Sequence, residues 1–78
     1  MTMQEIEQAT ARRAELLREA GAGTTITRDQ MWDDPRLVEA ACISLRVHVA
    51  LGNLYNTARS RRELRELERR LQELRGAA

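Results

Sequence analysis

The segment from Pro35 to Ala58 constrains the fold most, because a helix there would be apolar around most of its circumference. With about 100° of rotation per residue, four of its polar side chains share one sector: Arg36, Glu39, Arg46 and Asn53. The apolar side chains occupy most of the remaining directions: Leu37, Val38, Ala41, Cys42, Leu45, Val47, Val49, Leu51, Leu54 and Tyr55. A helix with this pattern has to be surrounded by other elements or by a partner.

Capping boxes, in which a Ser or Thr precedes a Glu or Gln by three residues, predict three helix starts. The matches are Thr2–Glu5, Ser60–Glu63 and, with Gln in the last position, Thr27–Gln30. Asp34-Pro35 indicates a fourth start, because Asp caps a helix and Pro suits its first position.

These signals, with helix ends at Gly21–Gly23 and Gly76, predict one all-α domain over residues 1–78. We expect helix 1 at about 3–20, a linker at 21–34, helix 2 at about 35–58 and helix 3 at about 61–75. The expected architecture is a three-helix antiparallel bundle, or a helical hairpin with a C-terminal coiled-coil-like helix. A break between helices 2 and 3 is favoured near 57–62, and Gly52-Asn53 also suits a turn.

Helix 3 carries a leucine seam with two leucines in every seven residues: Leu64, Leu67, Leu71 and Leu74. Most other positions are charged, so we expect ion pairs between residues four apart, namely Arg62–Glu66, Glu66–Arg70 and Arg69–Glu73. A helix of this length is marginal in water by itself. The seam should therefore dock on helix 2, on helix 1 or on a second copy of the chain.

The net charge of +1 conceals an uneven distribution, since residues 1–34 carry −3 and residues 59–78 carry +3. All 13 basic residues are Arg, which a GC-rich coding genome would favour and which suits contacts with carboxylates or phosphates. Candidate contacts to phosphate or to an acidic partner are Arg59, Arg61, Arg62, Arg65, Arg69 and Arg70. Four interleaved Glu residues and the lack of an aromatic residue for base stacking make nucleic-acid binding the alternative function.

Enzymatic chemistry has little support in the sequence. Ser44 and His48 lie four residues apart, but no neighbouring acid along the helix would orient the imidazole, so we expect a packed histidine. Cys42 is expected to be a small buried hydrophobe. The acids Asp29, Asp33 and Asp34 lack the spacing of a calcium loop, so no metal or cofactor is expected.

The first ten residues do not resemble a signal peptide, and the longest apolar run is the four residues Ala40–Ile43. We therefore expect a cytoplasmic protein without a membrane partner.

The sequence predicts a non-catalytic protein–protein interaction module: an adaptor, chaperone-like or inhibitor protein of bacterial or phage origin that binds a protein partner, itself or both. Because two narrow helix stripes cannot cover helix 2, part of its apolar surface should form an interface. Trp32 either closes the end of the bundle or anchors that interface. The predicted interface residues are Trp32, Val38, Leu45, Val49, Leu51, Leu54, Tyr55, Leu64, Leu67, Leu71 and Leu74.

Overall fold

Four α-helices and no strand form in the part of the chain that the computed structural model describes: residues 1–23, 25–52 and 57–76, without the Thr57 side chain. They are α1 (Met3–Glu19), α2 (Arg28–Met31), α3 (Pro35–Ala50) and α4 (Thr57–Gly76). The predicted all-α class is confirmed for these residues. The helix start expected at Thr27–Gln30 is present as α2, within the expected linker at 21–34.

Two of the predicted capping boxes form with both of their hydrogen bonds. The backbone N–H of Glu5 donates to Thr2 Oγ1 at 3.1 Å, and the N–H of Thr2 donates back to Glu5 Oε1 at 3.2 Å. The bond from the Thr2 backbone is the main cause of the lowered pKa of Glu5. Thr27 and Gln30 make the same reciprocal pair at the start of α2. These helix starts depend on nearby residues alone, which is why the sequence predicts them.

The third helix begins as predicted but ends earlier. Asp34 caps α3 by accepting a 2.9 Å hydrogen bond from the backbone N–H of Arg36, with Pro35 in the first turn. The helix ends at Ala50 instead of about 58, because Gly52 adopts a φ of +70° that side-chain-bearing residues rarely adopt. The break therefore includes the Gly52 position and precedes the 57–62 region favoured from the sequence.

The predicted capping box at Ser60 is wrong, because α4 already begins at Thr57. Ser60 lies inside the helix with 7% of its surface exposed. It precedes Leu64 by four residues and Leu67 by seven, so it belongs to the inward face of α4. Tertiary packing thus determines the position of this serine.

The apolar circumference of α3 is covered from two sides. Leu16 and Leu17 of α1 pack with Leu37, Ala40 and Ile43 of α3. On the other side of α3, the residues that pack together are Val38 and Cys42 of α3 and Leu67 and Leu71 of α4. Among the described residues, no Cα atom of α1 lies within 8 Å of a Cα atom of α4, so the two helices pack on α3 from different sides. Together they cover more of α3 than the sequence predicts.

Polar contacts fix which helix ends lie together. Arg36, at the start of α3, donates a 2.9 Å hydrogen bond to the backbone carbonyl of Glu19, at the end of α1. Arg75, near the end of α4, binds Glu39 in the second turn of α3. The C-terminal ends of α1 and α4 thus both lie near the start of α3, which leaves the end of α3 beside their N-terminal ends.

Candidate protein-binding surface

An exposed apolar surface lies where α3 ends. Four apolar residues, Met1, Val49, Ala50 and Leu64, contribute to the lining of a shallow cavity of about 350 Å³ there, and Leu51 follows Ala50 directly in the chain. We call these five residues the terminal patch. Met1 is 58% exposed and Leu51 is 48% exposed, whereas Val49 and Leu64 are half-buried. Arg46 and Arg61 lie at its edge.

The patch is exposed because α3 loses its cover in its last turn. Leu67 is 2% exposed and Leu71 is 9% exposed, so the two leucines in the middle of the seam are buried against α3. Leu64, one turn earlier on α4, is only half-buried. The apolar pattern of α3 thus continues to Leu51, while the helices packed against it leave this end open.

The predicted interface residues fall into four groups. Val38, Leu67 and Leu71 are buried inside the chain, so a partner does not reach them in this structure. Five are half-buried: Trp32, Leu45, Val49, Leu64 and Leu74. Leu51 is exposed. Leu54 and Tyr55 lie outside the described residues.

Trp32 packs against the cluster that joins α3 and α4, and two arginines lie over its ring. The guanidinium carbon of Arg28 lies 4.8 Å from the ring centroid, and that of Arg70 lies 5.2 Å from it. Both distances are within the range of cation–π attraction. Arg70 also donates to the Trp32 carbonyl at 2.8 Å and to Asp33 Oδ1 at 2.7 Å. The indole is therefore half-buried and makes its contacts within this chain.

Glu39 connects the two outer helices across one edge of α3. Its carboxylate accepts hydrogen bonds from Arg12 of α1, at 3.0 Å, and from Arg75 of α4. Its side chain is 16% exposed. Burial, the largest single influence, would raise the pKa of Glu39, but the hydrogen bonds from Arg75 and Arg12 outweigh it and hold the pKa below the ordinary 4.5.

The opposite edge of α3 forms the floor of a groove of about 360 Å³ between α1 and α4. Small side chains, Ala40, Ala41 and Ser44, contribute to the floor. Arg13 of α1 and Glu63 of α4 contribute to the lining from either side. The groove is therefore mixed in polarity, in contrast to the terminal patch.

The six predicted phosphate-contacting arginines do not share one environment. Arg70 is 21% exposed and is engaged with Trp32, Asp33 and Glu73. Arg59 is exposed and has an interaction of its own. The other four are exposed side chains of α4: Arg61, Arg62, Arg65 and Arg69.

The candidate catalytic residues do not form a site. Neither Ser44 nor His48 makes a side-chain hydrogen bond within the described residues, and His48 is exposed, so the expectation of a packed histidine is wrong. Its position between the α1-facing and α4-facing sides of α3 accounts for this. Cys42 is fully buried, and burial raises the pKa of its thiol, which makes it a poor nucleophile. Residues 1–23, 25–52 and 57–76 contain no group of three or more His, Cys, Asp or Glu that could hold a metal ion.

No helix within the described part of the chain has the length and apolar character needed to cross a bilayer. Comparison of the chain with protein-family models, with curated proteins and with solved structures finds no match.

Proposed function

We propose that this chain is a small non-catalytic protein–protein interaction module, with the architecture of a three-helix antiparallel bundle, whose contact surface is the terminal patch. The proposal is of an adaptor, chaperone-like or inhibitor protein that forms homo-oligomers through this surface. The observation that carries it is the exposure of Met1 and Leu51, 58% and 48%, beside the almost wholly apolar cavity lined by Val49, Ala50 and Leu64.

Apolar area is the driving force of the proposed association. Removing apolar surface from water yields roughly 25 cal/mol per Å², and a contiguous exposed apolar surface on a small protein usually marks an interaction site. Leu51 and Met1 are suitable anchors because they are large apolar side chains that remain exposed. A second copy presents the same anchors, as a two-fold interface requires.

The edge of the patch predicts how salt acts on this association. Arg61 is exposed, and no ion pair or hydrogen bond of its side chain occurs within the described residues. Arg46 is paired with Glu68 at 3.3 Å. Two copies meeting at this surface bring like charges together, and salt screens such repulsion. We therefore expect self-association to strengthen as salt is raised.

Light scattering over a range of protein concentrations tests the proposal. The expected result is a mass that rises towards twice that of one chain in low and in high salt. Leu51→Glu should keep the chain monomeric, and the uncharged Leu51→Gln should weaken association in the same direction. Circular dichroism would verify that both variants remain helical.

Ala14→Glu is the matched control. It also places a glutamate on an exposed position, on α1 and away from the patch, four residues before Arg18. Its association should equal that of the unchanged chain. A protein that remains monomeric at all concentrations, or a Leu51→Glu variant that associates normally, would contradict the proposal.

A further inference from the structure

The outer face of α4 carries an uncompensated arginine stripe, which the nearly neutral charge of the chain conceals. The stripe consists of Arg61, Arg62, Arg65 and Arg69. At about 100° per residue these side chains fall within one sector of the helix, opposite the buried Leu67 and Leu71. No ion pair or side-chain hydrogen bond of these four arginines occurs within the described residues.

The glutamates of α4 do not neutralise the stripe, because three of them are paired with arginines outside it. Glu66 binds Arg28 of α2. Glu68 is paired with Arg46 of α3 at 3.3 Å. Glu73 is paired with Arg70, at 3.3 Å, on the side of α4 that holds Trp32.

The fourth glutamate, Glu63, contributes to the groove between α1 and α4 and so lies away from the outer face. The pairs Arg62–Glu66 and Arg69–Glu73 expected from the sequence are therefore absent. Four guanidinium groups remain for an external anion.

We propose that this stripe binds the phosphate backbone of double-stranded nucleic acid without sequence preference. From Arg61 to Arg69 the helix rises about 12 Å, which places one positive charge about every 4 Å. One strand of a duplex presents a phosphate about every 3.4 Å along its axis. The linear charge densities of the two surfaces thus match, and each guanidinium is a planar fork that fits phosphate oxygens.

The composition of the face favours backbone contact over base recognition. The described residues of α4 include no aromatic side chain on which a base could stack, which disfavours single strands. Gln72 is the one side-chain amide of the helix, so apart from the arginines few side chains could form hydrogen bonds with base edges. Binding of this kind is weak, with a Kd of about 10⁻⁴ to 10⁻⁶ M at physiological salt.

The test is fluorescence anisotropy with two labelled duplex DNAs of unrelated sequence, titrated at several salt concentrations. Four phosphate contacts predict a slope of about −3.6 in log K against log salt, equal for both duplexes. Replacing all four stripe arginines by Gln should lower the affinity at low salt at least about tenfold and reduce the slope towards zero.

Matched single variants distinguish an effect of the stripe from an effect of the net charge of the chain. Arg65→Gln should reduce the slope by about 0.9, whereas Arg18→Gln, an equal charge change at an exposed position of α1, should leave it unchanged. Both substitute exposed arginines that make no ion pair within the described part of the chain, so circular dichroism should show native helicity.

Unchanged binding in the fourfold variant would overturn the proposal. So would tighter binding to vesicles with anionic lipids, or to poly-glutamate, than to duplex DNA at the same salt. The stripe and the terminal patch are distinct except for Arg61 at the patch edge, so the uncharged Leu51→Gln should leave the salt slope of DNA binding unchanged. Failure of one proposal is thereby distinguishable from failure of the other.

Discussion

Arg12 of α1 donates a 3.0 Å hydrogen bond from Nε to Oε2 of Glu39 in α3, although the two residues are 27 positions apart. Arg75 of α4 binds the other oxygen of the same carboxylate. The backbones of α1 and α4 stay more than 8 Å apart within the described residues, and Glu39 is a polar connection between the two helices across α3. Ion pairs therefore join α1 and α4 across this edge of α3, whereas a groove separates the two helices along the opposite edge.

Glu39→Gln should destabilise the fold by about 1 kcal/mol, because it removes the charge from both hydrogen bonds of a carboxylate that is 16% exposed. Urea unfolding followed by circular dichroism measures this change. Glu15→Gln is the control, since Glu15 is also paired with Arg12, at 3.7 Å, but is 51% exposed. Equal effects of the two substitutions would contradict the role given to Glu39.

Acid should destabilise the protein in the range where Glu39 and Asp34 become protonated. The hydrogen bond from the Arg36 side chain is the main cause of the lowered pKa of Asp34, whose ordinary value is 3.8. A carboxyl group with a lower pKa in the folded state binds more protons when unfolded, so protonation favours unfolding. This stabilisation is fully present above about pH 5 and is lost as the pH falls through both folded pKa values.

Urea midpoints measured at successive pH values test this expectation. Stability should fall steadily from about pH 5 downwards, and Glu39→Gln should reduce the upper part of that fall. A profile that is flat below pH 5, or one that Glu39→Gln leaves unchanged, would show that these ion pairs contribute little.

Arg70→Gln should loosen the turn that carries Trp32. The substitution removes a cation–π contact at 5.2 Å, a hydrogen bond to the Trp32 carbonyl and the ion pair with Asp33. We expect a loss of about 1–3 kcal/mol and a red shift of the fluorescence of the chain's one Trp. Arg69→Gln changes the neighbouring arginine, which is exposed, and should alter neither quantity. A red shift of the same size in both variants would argue against the contact.

Leu67→Ala should be far more costly than Leu64→Ala. Leu67 is 2% exposed against Val38 and Cys42, and removal of such a side chain leaves a cavity that costs about 2–5 kcal/mol. Leu64 is half-buried at the patch, so its truncation leaves mainly a solvent-accessible gap. Thermal unfolding of dilute, monomeric samples compares the two variants. Similar decreases in Tm would mean that Leu64 and Leu67 contribute equally to stability, contrary to this prediction.

The sequence predicts the local features of this fold and misses those set by distant residues. Thr2–Glu5, Thr27–Gln30 and Asp34-Pro35 act within a few residues, and each forms as expected. Ser60–Glu63 has the same pattern, but Ser60 lies on the face of α4 that packs inward. The capping-box pattern alone does not show whether its serine caps a helix or is buried inside one.

The apolar periodicity of α3 shows that other residues must pack against this helix, but it does not identify those residues. Val38 was a predicted interface residue and is 0% exposed beneath the leucines of α4. Leu51 also belongs to the apolar pattern, and it is exposed because it follows the last turn of α3. Val38 and Leu51 differ in exposure because of where α3 ends relative to the helices beside it, and the composition of α3 does not show this.

The pairing of charges is the least predictable part. Glu66 has arginines four residues away on both sides, yet it binds Arg28, which is 38 positions distant. Glu73 binds Arg70 instead of Arg69. Isolated-helix rules describe pairs on a free helix, and here α2 and α3 supply competing arginines.

A dilution series of ¹H–¹⁵N correlation spectra tests, residue by residue, whether the terminal patch is an interface. We expect concentration-dependent shifts at Val49, Ala50, Leu51 and Leu64, with none at Ala14 or Arg18 of α1. Spectra that do not change with concentration, or shifts confined to residues away from the patch, would contradict it.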